Sequence, residues 1–171
     1  MKHGVAQRVD LMVRQLVPAS LVLVLVLIQA IPWHLPALAG IFPMLPMIGI
    51  YYWSVYRPDL MVPSVAFGTG LVNDIVLGAP IGISSLAFLV IQGMTASQTR
   101  FFNGKSFLVI WSGFALLAAG AVLVELVLSW AIFSRTPMLY ALVAQYALTV
   151  CLYPPVSWVF SRLQLFWLRN E

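Results

Sequence analysis

Apolar residues in this chain run in long continuous blocks, separated by short breaks that are polar or contain proline or glycine. Six blocks stand out, at about 17–31, 38–56, 61–77, 83–96, 106–133 and 138–160. A strand of a membrane barrel would alternate apolar and polar positions, whereas the stretch from Phe107 to Phe133 is apolar almost without interruption, so the blocks predict helices. The pattern predicts Pro18 at the start of the first helix and Pro32 after its end, and a kink or break in the second near Pro43 and Pro46. The first and fourth blocks are short for a full crossing of a bilayer, and the fifth is long enough to need tilt.

Composition says which solvent such helices meet. Of 171 residues, 62% are hydrophobic and 8% charged, with a mean hydropathy of +0.98, against roughly 25% charged in a soluble domain. The fold class this predicts is an all-α integral membrane protein: one polytopic domain, a bundle of about six transmembrane helices. A soluble enzyme is excluded. So is nucleic-acid binding, because the nine Lys and Arg form no basic run or stripe despite a net charge of +4.

Those basic residues report topology. With a cytoplasmic N-terminus, Lys2, Arg8, Arg14, Arg57, Arg100, Lys105, Arg162 and Arg169 fall inside and only Arg135 outside, as the positive-inside rule requires. Both termini are then cytoplasmic, and merging any two neighbouring helices would misplace part of this set. Tyr51, Tyr52, Trp53, Tyr56, Phe101, Phe102, Trp111 and Trp158 fall near inner helix ends, with Trp33 and Trp130 near outer ones, which places them as headgroup-level aromatics. The residues Ile28-Gln29-Ala30-Ile31-Pro32 that close the first block make no A-x-A-like site, so it reads as a retained helix. The stretch from Arg162 to Glu171 reads as an interfacial continuation of the last helix. Cys151, the single cysteine, reads as a small core residue.

An ionisable group within a membrane helix is a functional-site hypothesis by default. Asp74 stands in Ala66-x3-Gly70-x3-Asp74-x3-Gly78, a spacing that puts all four on one helical face, with Asn73 beside it. Small residues at that spacing let a second helix approach closely. Two readings stay open: Asp74 faces protein, or it caps the helix end or meets water at the outer surface. The N–H groups of the turn from Gly78 to Gly82 and the side chain of Asn73 are its candidate donors, and Asp74→Asn should then be tolerated far better than Asp74→Leu. Glu125 follows the small residues Ala115, Ala118, Ala119, Gly120 and Ala121, and either pairs with a basic or polar partner or snorkels to the outer interface, or else relays a proton or binds a cation. His3 and His34 have no ligand partner at useful spacing, and no H-E-x-x-H, G-x-S-x-G or P-loop is present, so neither metal, cofactor nor catalysis is expected.

The segment Ile50-Tyr51-Tyr52-Trp53-Ser54-Val55-Tyr56-Arg57-Pro58, followed by Gly70, Asn73, Asp74, Gly78, Pro80 and Gly82, resembles the rod shape-determining protein MreD family. That family has a Tyr-Trp and Arg-Pro entry and then a Gly, Asp, Gly, Pro-Leu-Gly pattern; here Ile81 stands in place of the Leu. Independently of the resemblance, Arg57-Pro58 predicts a sharp turn and Gly78, Pro80 and Gly82 a second one. The resemblance implies a non-catalytic subunit of the bacterial wall-elongation machinery in the cytoplasmic membrane. Its implied partners are MreC above all, then RodA, a class B penicillin-binding transpeptidase and MreB, besides membrane lipid. It also implies a fold like the vitamin-binding S components of energy-coupling transporters, which leaves a small-molecule-binding transporter subunit as the alternative. The Ala-x3-Ala pair that S components often carry near the chain start is absent from 17–31.

Overall fold

The computed structural model describes residues 3–31, 42–99, 104–133 and 139–168; the side chains of 3–15, 125, 128, 129, 131–133, 139 and 165–168 lie outside that description. The described residues form six helices: α1 (His3–Ala30), α2 (Leu45–Tyr56), α3 (Pro63–Leu77), α4 (Ile83–Ser97), α5 (Phe107–Phe133) and α6 (Leu139–Leu168). The ends of α3 and α4 follow local chemistry. Pro63 opens α3, where its missing N–H costs nothing, and Gly78 closes it in the left-handed conformation at φ 65°.

Three boundaries differ from the hydropathic expectation, two of them for one reason. Apolar content marks where a helix meets an apolar solvent, and main-chain hydrogen bonding does not stop there. Thus α1 begins at His3, which puts Pro18 inside the helix instead of at its start. The last helix continues beyond Phe160 to Leu168 and absorbs Pro154 and Pro155. In the second block, where a kink or break was expected near Pro43 and Pro46, the chain is non-helical at 42–44 and α2 starts only at Leu45, with Pro46 in its first turn. Residues 32–41, including Trp33, His34 and the expected start of the second block, lie outside the described residues.

The core is organised around α2, whose ten residues from Pro46 to Val55 are all buried. It packs against α1, α4 and α6, while α3 lies on α4 and α1, and α5 on α6 and α4. Tyr51, Tyr52 and Trp53 are therefore core residues, not headgroup-level aromatics. A tyrosine ring is apolar enough for a core provided its hydroxyl finds a partner. Tyr51 donates to the Ile110 carbonyl at 2.9 Å, and Tyr52 to the Gln164 Oε1 at 3.1 Å. The Tyr51 ring lies 5.2 Å from that of Phe114, which stacks on Tyr153 at 4.5 Å. Between α5 and α6, Trp111 Nε1 donates to the Val150 carbonyl at 3.0 Å and Tyr146 to that of Ala115 at 3.2 Å. Trp130 and Trp158 do face outward, the latter beneath the Arg162 guanidinium at 5.3 Å. Cys151 is exposed, contrary to the core position expected for it.

Tyr51→Phe tests this core. It keeps the ring contacts and removes only the hydroxyl, so unfolding in mild detergent should be easier by about 1 kcal/mol. An unchanged unfolding midpoint would mean that the bond to Ile110 contributes nothing.

Among the described residues, two helices carry stretches long and apolar enough to cross a bilayer, Phe107–Val124 with mean hydropathy 2.4 and Tyr140–Gln164 with 1.3, and only 22% of each is buried. A core helix of a water-soluble protein would instead be mostly covered. Leu116, Leu123 and Val127 on α5 and Val143 on α6 are among the apolar side chains left exposed.

Candidate functional site

The sequence around Asp74 folds into a locked corner between α3 and α4. Gly78 ends α3, and the Ala79 N–H returns to the Asp74 carbonyl at 2.9 Å. Gly82 then opens α4 at φ 106°, a left-handed conformation that side chains rarely adopt, and it supplies no capping side chain. The first N–H groups of a helix have no partners of their own and carry its positive dipole end. Asp74 fills that place from the preceding helix. Its Oδ2 accepts from the Gly82 N–H at 2.7 Å and its Oδ1 from the Ser84 N–H at 3.1 Å, in a fully buried position.

The two readings left open for Asp74 therefore merge. It faces protein and it is a cap, but the cap of α4, not of its own helix. Asn73 does not donate to it, as had been expected. Its Nδ2 instead reaches the Ser84 Oγ at 3.0 Å, a second cross-link at the same corner.

Close helix contact completes the unit. A Cβ built on Gly70 would lie 2.6 Å from the Ser85 backbone nitrogen and closer still to the Ser85 Cα, so the two main chains touch there. Ala66 is wholly buried on the same face. Thr69 turns its hydroxyl back to the Val65 and Ala66 carbonyls, at 2.9 and 3.0 Å. Gly70, Asn73, Asp74, Gly78, Pro80 and Gly82 thus belong to one corner, with Ala66 further along α3.

Arg57 and Pro58 lie at the other end of α3. The Arg57 N–H closes α2 on the Trp53 carbonyl at 2.8 Å, and its Nε lies 3.3 Å from the Asp59 Oδ1 in an exposed pair that adds little stability. What anchors this loop is a residue the sequence reading missed: Gln92 on α4 donates to the Met61 carbonyl at 2.9 Å from a buried position. Ser84 and Ser85 were missed as well, although two small polar residues opening a helix after Gly82 are a readable start signal. The Glu125 side chain lies outside the described residues.

Chemically, this corner is a clamp. Each Asp74 oxygen is committed to a main-chain N–H, and the described residues hold no cluster of three or more His, Cys, Asp or Glu. Its arrangement fixes the angle and depth at which α3 and α4 meet.

Neither the curated proteins nor the solved structures hold a match to this chain. A family model does match, that of the rod shape-determining protein MreD, and it covers residues 10–163 of the 171. That span includes the clamp, both turns and all but the ends of α1 and α6, and on this breadth the chain belongs to the MreD family of rod shape-determining proteins.

Proposed function

We propose that this protein is a non-catalytic, multi-pass subunit of the complex that elongates the side wall of rod-shaped bacteria, held in the cytoplasmic membrane with both termini inside. It acts by binding other membrane proteins through its helix faces. MreC is its nearest partner, with RodA, a class B penicillin-binding transpeptidase and MreB filaments in the same assembly. The observation that carries this reading is the family match over residues 10–163. Support for the membrane comes from α5 and α6, whose apolar windows are mostly uncovered, and from the basic asymmetry of the chain. The saturated Asp74 clamp supports a structural role for the one carboxylate buried among the described residues.

Depletion in a rod-shaped host should give round or widened cells, and the tagged chain should bring down MreC from mild detergent. Cells that stay rod-shaped, or a pull-down holding transporter ATPases and no wall-synthesis proteins, would count against the proposal and for a transporter subunit. Topology is tested by single cysteines in a Cys151→Ser background, needed because Cys151 is exposed. An impermeant thiol reagent added to spheroplasts should label Ile81→Cys and spare Arg169→Cys. The reverse pattern would sink the inside assignment of the C-terminus.

A further inference from the structure

Two adjacent prolines, Pro154 and Pro155, lie well inside α6. Neither has an N–H, and each would have served the carbonyl four residues back, so Val150 and Cys151 lose their helical donors. The chain makes good the first loss itself, because Trp111 on α5 donates its Nε1–H to the Val150 carbonyl at 3.0 Å. The second is not made good in this way. Cys151 meets proline at both the third and the fourth position ahead, so its carbonyl can form neither a 3₁₀ nor an α bond. The nearest hydroxyls on α6, those of Thr149 and Ser157, donate to the Gln145 and Pro154 carbonyls instead.

The position of this carbonyl sets what can reach it. Val143, Ala147, Cys151 and Pro155 follow at four-residue spacing and are all exposed, so the group between Cys151 and Pro155 lies on a face of α6 that the bundle leaves uncovered. Within the apolar stretch Tyr140–Gln164 it stands about 16 Å from one end and about 20 Å from the other. At that depth lipid tails offer no donor, and a main-chain group left unpaired in hydrocarbon is costly.

We propose that this face of α6 docks a transmembrane helix of another protein, which sets a hydroxyl, carboxamide or indole donor against the Cys151 carbonyl as Trp111 does against that of Val150. Ala147 and Cys151 are small, which lets the incoming backbone approach closely enough for a short donor side chain. A second copy of this chain does not fit the place. The exposed donors of α6 itself, Tyr140 and Trp158, stand about 16 Å and about 10 Å along the helix from Cys151, out of register for a symmetric parallel pair. The inference rests on the placement of α6 across the membrane proposed above, and the first measurement tests that placement by itself.

In sealed membranes N-ethylmaleimide, which needs a hydrated thiol, should leave Cys151 unlabelled until detergent is added. Prompt labelling overturns the placement of α6, and the inference with it. Docking is read separately, by photolysis in living rod-shaped cells of a chain carrying p-benzoylphenylalanine in place of Val143. The expected adduct joins this chain to an apolar segment of a different membrane protein, mapped by mass spectrometry of the joined peptides. Pro155→Ala returns an N–H to the Cys151 carbonyl, so it should lower adduct yield and co-purification of that protein by about fivefold, as befits one neutral hydrogen bond. Pro154→Ala returns an N–H to the Val150 carbonyl, which Trp111 already serves, and should change neither. Ala147→Leu should lower both by obstruction. Replacing the donor of the joined segment by alanine should weaken retention by wild type and have no further effect on Pro155→Ala. Circular dichroism checks that each variant is folded, and should Pro155→Ala fail to accumulate, Pro155→Gly supplies the same N–H. With Cys151 protected, adducts to lipid alone or to a second copy of this chain overturn the docking inference while leaving the membrane placement intact. So do equal effects of Pro154→Ala and Pro155→Ala, or losses that add in the double variant.

Discussion

Gly70→Ala should destabilise the protein by about 2 kcal/mol or more, whereas the same replacement two residues earlier, Gly68→Ala, should leave it unchanged or stabilise it by up to about 1 kcal/mol. Both glycines lie inside α3, so intrinsic helix propensity rewards both changes equally. Their surroundings do not. Nothing lies within 4 Å of a Cβ placed on Gly68, while one on Gly70 runs into the main chain of Ser84 and Ser85. Backbone cannot swing aside as a side-chain tip can, so α3 and α4 would have to separate, stretching both Asp74 hydrogen bonds and the Asn73–Ser84 bond. Unfolding midpoints in detergent, with protein abundance in cells, read the difference. Two variants of equal stability would show that the close approach at Ser85 does not constrain the fold.

Asp74→Leu should be the more damaging of the carboxylate substitutions, costing about 2–6 kcal/mol, because it strands the Gly82 and Ser84 N–H groups in a buried place at about 1–3 kcal/mol each. Asp74→Asn should fall between, at about 1–3 kcal/mol. The simpler expectation, that asparagine keeps most of the hydrogen bonds, does not survive the geometry. Two N–H donors meet Asp74, one on each oxygen, and asparagine offers one acceptor oxygen while turning an NH2 group toward the other donor. Abundance, unfolding midpoint, MreC co-purification and cell shape should therefore decline together, wild type above Asn above Leu. If Asp74→Asn folds and binds normally yet abolishes rod shape, the charge itself is used, and a proton-relay or transport role replaces the structural one.

Residues that break helices made much of this architecture readable. Gly78 and Gly82 stand where α3 ends and α4 begins, and their effects are local, so one sequence suffices to place them. The extension of α1 back to His3 and of α6 on to Leu168 was hidden, because hydropathy reports solvent and not hydrogen bonding. Tyr51 to Trp53 illustrate a different limit. An aromatic ring with one polar atom suits a headgroup layer and a satisfied core equally well, and only the placement of Ile110 and Gln164 opposite the two hydroxyls decides it. At the clamp, the spacing of Ala66, Gly70 and Asp74 correctly marked one helical face. That Asp74 would take a donor from the turn was legible, and the Gly82 N–H is that donor; that the Ser84 N–H would be the second, making Asp74 the cap of the following helix, depended on the path from Gly78 to Gly82.

The brevity of the helices joined by the clamp has a consequence for the lipid around them. At about 1.5 Å per residue, α3 and α4, of 15 residues each, are about 22 Å long, whereas α5, with 27, is about 40 Å. A hydrocarbon layer is about 30 Å thick. In the multi-pass placement proposed above, one flank of the molecule is thus too short for the bilayer and another too long. Lipid beside α3 and α4 would then have to thin, lipid beside α5 to thicken unless that helix leans, and the elastic cost would fall when the short flank is shielded from lipid. A partner's transmembrane helix lying along α3 would relieve that strain, so membrane thickness itself becomes a variable in assembly, with thicker bilayers favouring the bound state.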